Sequence, residues 1–350
     1  MEKIRLGRTE IEVSRLGFGG IPIQRISEED AVAVVKRCLE LGITFIDTAN
    51  GYTTSEERIG KAISGRREQL VIATKSGDRT CKGIEEHLNL SLERLKVNSI
   101  DLYQFHGVSD LETLEVVLSP RGPMTIVEEA RRARVVKHIG ISSHSIDVAK
   151  EAVQSNRFET IMFPLNFIAC EAADELLPLA REHDVGFIAM KPLAGGMLDN
   201  VTIAFKYLSQ FPDIVLIPGI EKIHEIEEIV QLLEGPLEMT EEEMHEMGRL
   251  REELGNKFCR RCDYCQPCAE GIPISGVMVS DSFAKRLPLE RLFSEGMVEA
   301  FEKAANCNQC GECEERCPYH LPIREKIVER VKWYQAEREK YQEQAGKRGK

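Results

Sequence analysis

The chain has 350 residues, of which 42% are hydrophobic and 30% charged, and its formal net charge is −12. This composition supplies a large apolar core, and the length predicts about two domains. The acidic balance argues against nucleic acid as a partner, because phosphate binding needs a basic surface. The sequence has neither a signal-peptide core nor an apolar run near the roughly 20 residues of a membrane span, so we expect a cytoplasmic protein with no membrane partner.

The first 250 residues alternate short apolar runs with amphipathic segments. An opening segment, IRLGRTEIEV, predicts a small hairpin that turns at Gly7 and closes the bottom of a barrel. Eight further runs are short and mostly rich in β-branched or aromatic residues, which is typical of strands. They begin at Arg15, Ile43, Leu70, Ile100, Val136, Ile161, Val185 and Ile214. Helix patterns separate them, among them EEDAVAVVKRCLELG, whose apolar face is Ala31, Val34, Val35 and Cys38.

A closed (β/α)8 TIM barrel has eight strands that are each followed by a helix, which is the number predicted here. An open doubly wound sheet is the alternative. The glycine-rich phosphate loop that usually follows its first strand would here be GFGGIP, which matches poorly. We therefore predict an α/β chain with a (β/α)8 TIM barrel over residues 1–250, a small, mainly helical domain over 251–330 and a charged tail over 331–350.

Four polar residues lie at or just after the ends of neighbouring strands. Asp47 ends the second predicted strand, Lys75 the third and His106 the fourth, and Tyr52 lies in the loop just after Asp47. In a barrel of this kind, chemistry sits at the carboxyl ends of the strands. We therefore expect these four side chains to converge at one mouth of the barrel.

These residue types suit the reduction of a carbonyl, in which an arriving hydride leaves negative charge on oxygen and a proton donor must be near. The ordinary pKa of a tyrosine is about 10, and a nearby ammonium lowers it. Lys75 would supply that ammonium, Asp47 would keep it charged and oriented, and His106 would hydrogen-bond the substrate oxygen. Taken singly, each residue also has a structural explanation, such as a strand-end lysine that reaches water.

The segments LGRTEIEVSRLGFGG, FIDTANGYTTSEERIGKAI, DLYQFHG, GISSH and MKPLAGG resemble the aldo-keto reductase family over residues 3–235. The resemblance implies that Asp47, Tyr52, Lys75 and His106 form the catalytic tetrad, with Tyr52 as the proton donor. It also implies that NADP or NAD binds at the barrel mouth. The implied contacts to the nicotinamide end are Ser142, Ser143 and Asn166, and those to the pyrophosphate and ribose are Lys191, Leu193, Gly195, Pro218 and Gly219.

Several positions depart from the family pattern. Glu221 stands where an arginine commonly meets the 2′-phosphate of NADP, and a carboxylate repels phosphate but accepts from a ribose hydroxyl. Lys222 is adjacent and can compensate, so both residues belong to the expected cofactor site. Met162 and Met190 replace a glutamine and an aromatic ring that often hold the nicotinamide. The choice between NADP and NAD therefore stays open.

Eight of the eleven cysteines fall in two tight runs, Cys259, Cys262, Cys265 and Cys268, and then Cys307, Cys310, Cys313 and Cys317. The second run has the spacing of bacterial ferredoxins, in which the fourth cysteine ligates the other cluster. We therefore predict two 4Fe–4S clusters with crossed ligands, one on Cys259, Cys262, Cys265 and Cys317 and one on Cys307, Cys310, Cys313 and Cys268. Two zinc sites are the alternative, although zinc usually takes separated pairs of cysteines. The pattern resembles the ferredoxin-like extension that some aldo-keto reductases carry.

Three functions follow from this combination. The first is an NAD(P)H-dependent reductase of a small carbonyl substrate, coupled or structurally joined to the clusters. The second is an electron-transfer enzyme with a flavin or another cofactor in the barrel and a ferredoxin or flavoprotein as its redox partner. The third is a redox sensor without enzymatic activity. The complete tetrad disfavours the third function, and the eight clustered cysteines favour the second over the first. We still expect carbonyl reduction as the reaction of the barrel, with electron transfer as an added role.

Overall fold

The computed structural model describes residues 1–348. They form two compact units, the first spanning Met1–His245 and the second starting at Glu246. The first unit holds all the strands of the described chain, whereas the regular elements described in the second unit are helices.

The strands of the first unit form two sheets. β1 and β2 pair antiparallel as a hairpin, and β3 to β10 form an eight-stranded parallel sheet in consecutive order. The strands are Lys3–Arg5 (β1), Glu12–Ser14 (β2), Phe18–Gly19 (β3), Phe45–Asp47 (β4), Val71–Ser76 (β5), Ile100–Phe105 (β6), Val136–Ser142 (β7), Thr160–Pro164 (β8), Gly186–Met190 (β9) and Ile214–Ile217 (β10).

Contacts between the first and last parallel strands close the sheet into a barrel. Leu16 and Gly19 bridge to Leu216 and Gly219, and the Gly19 N–H donates to the Pro218 carbonyl at 2.9 Å. A Cβ atom on Gly19 would lie 2.6 Å from that carbonyl oxygen. The close approach of the two chains therefore requires glycine at this position.

Helices alternate with the parallel strands, as predicted. They are Glu28–Glu40 (α1), Ser55–Ala62 (α2), Cys81–Leu95 (α3), Leu111–Leu118 (α4), Met124–Arg132 (α5), Ile146–Gln154 (α6), Glu171–Glu182 (α7), Val201–Ser209 (α8), Ile223–Leu233 (α9) and Glu241–Leu254 (α10). The buried face of α1 is the predicted one, Ala31, Val34, Val35 and Cys38. At the start of α10, the Thr240 hydroxyl accepts from the Glu243 N–H, and the Glu243 carboxylate accepts from the Thr240 N–H, which completes a capping box.

The predicted hairpin is confirmed, with its turn in a 3-10 helix at Gly7–Thr9. Leu6 and Val13 are fully buried in one cluster with Phe45 and Val71, which are the first residues of β4 and β5. The hairpin therefore packs against the amino-terminal end of the barrel strands and fills that end with apolar side chains.

The second unit is built from short helices and one long one. They are Ile274–Met278 (α11), Ser280–Ala284 (α12), Leu289–Leu292 (α13), Glu295–Ala305 (α14), Glu312–Glu315 (α15) and Ile323–Arg348 (α16). Phe301 and Tyr334 stack in its core with ring centroids 3.8 Å apart, and the Tyr334 hydroxyl donates to the Leu292 carbonyl. The first part of the predicted tail thus continues α16, and Tyr334 joins it to the core.

The predicted fold class, a (β/α)8 barrel followed by a small, mainly helical domain, is confirmed. Among the described residues, no helix combines the length and the apolar character that crossing a membrane requires.

Candidate active site and cysteine cavities

The four predicted catalytic residues lie at the carboxyl ends of β4, β5 and β6. Asp47 is the last residue of β4, Lys75 is the last but one of β5, and His106 directly follows β6. Tyr52 lies in the loop between β4 and α2, where its N–H donates to the Ala49 carbonyl at 2.9 Å. Because the strands are parallel, these ends open on one mouth of the barrel.

A buried ion pair joins two of these residues. Lys75 Nζ donates to the two carboxylate oxygens of Asp47, at 2.7 and 2.6 Å, and to the Thr48 carbonyl at 2.7 Å. The Lys75 and Asp47 side chains are only 2% and 5% exposed. Three acceptors match the three donors of an ammonium group.

Burial and mutual attraction act against each other in this pair. Burial alone would lower the pKa of Lys75, but the Asp47 carboxylate, together with Tyr52, raises it above its ordinary value. Burial raises the pKa of Asp47, while Lys75 and Gln104 act in the opposite direction. We take the pair to be ionised, because the attraction of the Asp47 carboxylate outweighs burial and keeps the pKa of Lys75 above its ordinary value.

Tyr52 lies beside both the ammonium and the imidazole. Its ring is 5.7 Å from that of His106, edge to face at 83°, and Lys75 Nζ is 5.1 Å from the centroid of the Tyr52 ring. The next residue, Thr53, has a φ of +32°, and its hydroxyl donates to Gln24 Oε1 at 2.8 Å. The loop that carries the phenol is therefore fixed on both sides.

Gln104 is a fifth polar residue of this site that the sequence reasoning missed. It is fully buried, its Nε2 donates to Asp47 Oδ1 at 3.4 Å, and its Oε1 is buried without a hydrogen-bond partner. The signal was present in the sequence, since Gln104 precedes His106 by two positions and side chains two apart on a strand share a face.

The residues expected at the nicotinamide end are buried and bonded to nearby backbone. The Ser142 hydroxyl accepts from the Gly107 N–H at 2.8 Å, and the Ser143 hydroxyl bonds to both the N–H and the carbonyl of Ser145. The Asn166 amide donates to the Lys191 carbonyl at 3.0 Å. These side chains therefore shape the loops after β7, β8 and β9.

The residues expected around the pyrophosphate and ribose lie in two loops at the same mouth. Lys191, Leu193 and Gly195 follow β9, and Lys191 and Gly195 have φ values of +59° and +70°. Pro218, Gly219, Glu221 and Lys222 follow β10, and Lys222 is the N-cap residue of α9. Glu221 Oε2 is buried without a hydrogen-bond partner and lies 3.5 Å from Arg25 Nε.

The eight clustered cysteines line two cavities in the second unit. One cavity is lined by Cys259, Cys262, Cys265 and Cys317 and has an empty volume of about 330 Å³. The other is lined by Cys268, Cys307, Cys310 and Cys313 and has an empty volume of about 370 Å³. Both volumes include open solvent, and each cavity collects three cysteines of one run and the fourth of the other.

The cavities suit a multi-atom group better than one ion. Among the described residues, no three His, Cys, Asp or Glu side chains surround a position for a single metal ion. This geometry fits the cluster interpretation of the two runs better than the zinc alternative.

The thiols differ in burial, and burial makes their deprotonation costly. It raises the pKa of Cys259 to about 11 and that of Cys265 to about 12. Cys265, Cys313 and Cys317 are buried, whereas Cys310 is exposed. Since metal ligands must be thiolates, a bound cluster would expel protons from these thiols.

Replacing Lys75 with methionine should lower the free energy of unfolding by about 3–5 kcal/mol, because it leaves Asp47 buried without a counter-ion. The loss should shrink below about pH 4, where the Asp47 carboxyl of the unfolded chain is also protonated. Urea unfolding followed by far-UV circular dichroism, with cluster absorbance recorded separately, measures it.

The matched control is the double variant Asp47→Asn with Lys75→Met, which removes both charges and should recover part of the stability. A single Lys75→Met variant as stable as the original protein would contradict the ionised pair.

Comparison with known proteins agrees with this architecture. Residues 15–202 match the model of the aldo/keto reductase family, and residues 258–322 match that of a 4Fe-4S dicluster domain. The uncharacterized oxidoreductase YqkF of Bacillus subtilis is 32% identical over 212 residues, which cover 57% of this chain and 67% of that protein. The probable aldo-keto reductase 1 of Glycine max is 31% identical over 215 residues, and the chain spans only 60% of its length.

A solved structure has the same barrel. The holo form of the aldo-keto reductase AKR11C1 from Bacillus halodurans aligns with a TM-score of 0.62 and 27% identity, covering 71% of this chain and 96% of that one. The first family model covers more than half of the chain, including β4, β5 and β6 and the loops that carry the four polar residues. The chain therefore belongs to the aldo/keto reductase family of oxidoreductases and carries, in addition, a 4Fe-4S dicluster domain.

Proposed function

We propose that the barrel reduces a small carbonyl compound with NADH or NADPH and that Tyr52 donates the proton. The observation that carries this proposal is the buried Lys75–Asp47 pair, with the ammonium 5.1 Å from the centre of the Tyr52 ring. A buried ammonium beside a phenol stabilises the phenolate that remains after the proton has left. Membership of an oxidoreductase family supports the reaction class.

A reduced nicotinamide, when bound, supplies a hydride to the carbonyl carbon. The Tyr52 hydroxyl donates its proton to the carbonyl oxygen, so that one hydride and one proton produce one alcohol. Water then returns a proton to the Tyr52 phenolate. His106, whose ring lies edge to face with Tyr52, holds the carbonyl oxygen by a hydrogen bond and sets its angle. Asp47 keeps Lys75 charged throughout.

The residues of the mouth fit a nicotinamide cofactor. The Ser142 hydroxyl accepts from the Gly107 N–H, so the hydroxyl proton of Ser142 remains available for donation to the carboxamide oxygen of a nicotinamide. The backbone of Lys191 and Gly195 adopts positive φ in the loop after β9, which allows close approach to phosphate oxygens. Glu221 has a buried carboxylate oxygen to offer a ribose hydroxyl. We propose these residues, with Ser143, Asn166, Leu193, Pro218, Gly219 and Lys222, as the cofactor site.

Replacing Tyr52 with phenylalanine should lower kcat/KM for carbonyl reduction by about 10²- to 10⁴-fold, because it removes only the donated proton. Steady-state kinetics on an aldehyde measures the loss. Cluster absorbance and nicotinamide binding should not change in the same preparation. Reduction at the original rate would rule out Tyr52 as the donor.

Replacing Glu221 with glutamine should increase NADPH binding relative to NADH, because a carboxylate repels the 2′-phosphate. Fluorescence titration with each reduced cofactor gives the ratio of the two dissociation constants. Glu228→Gln is the matched control, since Glu228 is exposed on the following helix. If both variants leave the ratio unchanged, Glu221 does not contact that end of the cofactor.

We further propose that each cysteine cavity holds one 4Fe–4S cluster, with the crossed ligand sets that line the cavities. A 4Fe–4S cluster supplies the exchange of single electrons. The ligand thiolates fix its position, and Pro318, Tyr319 and Leu321 line the cavity beside Cys317.

Alanine variants of the cysteines test the crossed ligands. Cys259→Ala and Cys317→Ala, singly or combined, should each retain about half of the iron, because both lie on one cluster. Combining Cys259→Ala with Cys268→Ala should remove nearly all of it. Iron analysis and electron paramagnetic resonance of anaerobically purified protein provide the measurement, with Cys81→Ala as the control. Near-complete loss in the Cys259 and Cys317 double variant would indicate uncrossed ligands.

The exposure of Cys310 favours a second candidate function, electron exchange with a protein partner. The cluster proposed on Cys268, Cys307, Cys310 and Cys313 then reaches the surface of its unit, where a ferredoxin or flavoprotein can approach. This role adds to carbonyl reduction and does not replace it.

A further inference from the structure

One arginine at the barrel mouth has no carboxylate partner. Arg79 lies in the loop between β5 and α3, and its Nη2 donates to the carbonyl oxygen of His106 at 2.7 Å. Its Nη1 donates to the Asp78 carbonyl at 3.1 Å. The guanidinium is therefore fixed directly beside a residue of the proposed catalytic site. Within the described part of the chain, no carboxylate lies within 4.0 Å of it.

The two acidic residues nearest to Arg79 are occupied elsewhere. Asp78 and Asp110 raise the pKa of Arg79 only through space, and burial, which lowers it, is the larger influence. Asp78 Oδ1 accepts from the N–H and the hydroxyl of Thr80 at the start of α3. The two Asp110 oxygens accept from the N–H and the hydroxyl of Thr113 at the start of α4. Asp110 thus caps α4, Asp78 binds the N-cap residue of α3, and neither carboxylate forms an ion pair with the guanidinium.

Arg79 also has donors to spare. A guanidinium carries five N–H groups, and the hydrogen bonds of Arg79 to backbone carbonyls engage two of its nitrogens. The charge of Lys75 is already compensated, because Lys75 and Asp47 form a closed pair. In a protein of net charge −12, an anion approaching this mouth needs a local cation.

We propose that Arg79 binds a carboxylate of the substrate, so that the barrel acts on carbonyl compounds that carry a carboxylate. This inference rests on the proposed carbonyl reduction and names its substrate class. The planar fork of a guanidinium matches the two oxygens of a carboxylate. Its bond to the His106 carbonyl fixes the distance between the anion and the imidazole that orients the reacting carbonyl. A single cation suits a monoanionic carboxylate better than a phosphate dianion.

The test compares each of two acids with its own methyl ester. Succinic semialdehyde and 4-carboxybenzaldehyde are assayed beside their esters with the full-length, cluster-loaded protein. At least one acid should exceed its ester in kcat/KM by about 10- to 100-fold, the range expected for a hydrogen bond to a charged group. Arg79→Gln should remove this preference by raising KM for the acid, whereas Arg79→Lys should keep part of it.

The control is Lys82→Gln. Lys82 lies three positions after Arg79, and its side chain is 84% exposed, so the variant removes a positive charge from the surface. It should leave the preference unchanged. The proposal would be overturned if both esters were reduced with the same kcat/KM as their acids. It would also be overturned if the Arg79→Gln variant lost activity equally on acid and ester. An equal loss would mean that Arg79 only supports the His106 loop.

A binding measurement separates this inference from the proposed reaction. Saturation-transfer NMR with 4-carboxybenzyl alcohol and its methyl ester needs no turnover. Selective binding of the acid that disappears in Arg79→Gln would support the anion site even if no aldehyde were reduced. Reduction of aldehydes without any acid preference in binding or kinetics would leave the reaction standing and reject the anion site.

Discussion

A lysine and an aspartate removed from water at the barrel mouth are the constraint on which the rest of this site depends. Burying two charges costs several kcal/mol for each ion unless each has its partner and its hydrogen bonds. The strand register supplies them. Asp47 pairs with Ala73, and Lys75 lies two residues beyond it on the same inward face. Lys75 in turn pairs with Gln104, and His106 lies two residues further on. The parallel register therefore fixes the pair, the amide and the imidazole together.

Much of this architecture could be predicted from local sequence, because local patterns determine it. Each of the eight predicted strands overlaps an observed one, and the hairpin at Gly7 and the capping box at Thr240 follow from residue types at fixed spacings. Helix α3 shows that an apolar residue type alone does not identify the buried face of a helix. Its buried face includes Leu88, Ser91 and Leu95, while Leu90 and Leu92 are only half-buried, because 100° per residue brings the smaller Ser91 to the barrel.

Other features depend on tertiary structure and could not be predicted from the chain. Arg79 is without an ion pair, while the nearby Asp78 bonds to Thr80 and Asp110 caps α4, and no sequence pattern reveals that arrangement. The resemblance to a family names Ser143 and Asn166 but not the backbone groups to which their side chains bond. The cysteine spacing predicted two ligand sets. It could not predict that Cys310 is exposed while Cys313 is buried, because burial depends on the folded structure.

The two chemistries proposed for the chain differ in how many electrons move at once. A hydride carries two electrons and its transfer needs no iron, whereas a 4Fe–4S cluster exchanges one. The cysteine cavities are themselves unequal, since the one lined by Cys265 and Cys317 has buried thiols and the other includes the exposed Cys310. The two cavities are also close along the chain, because Cys313 and Cys317 line different cavities and are only four residues apart. If the proposed clusters occupy both cavities, the exposed Cys310 gives one of them a route for exchanging single electrons with a partner, which a purely structural role would not require.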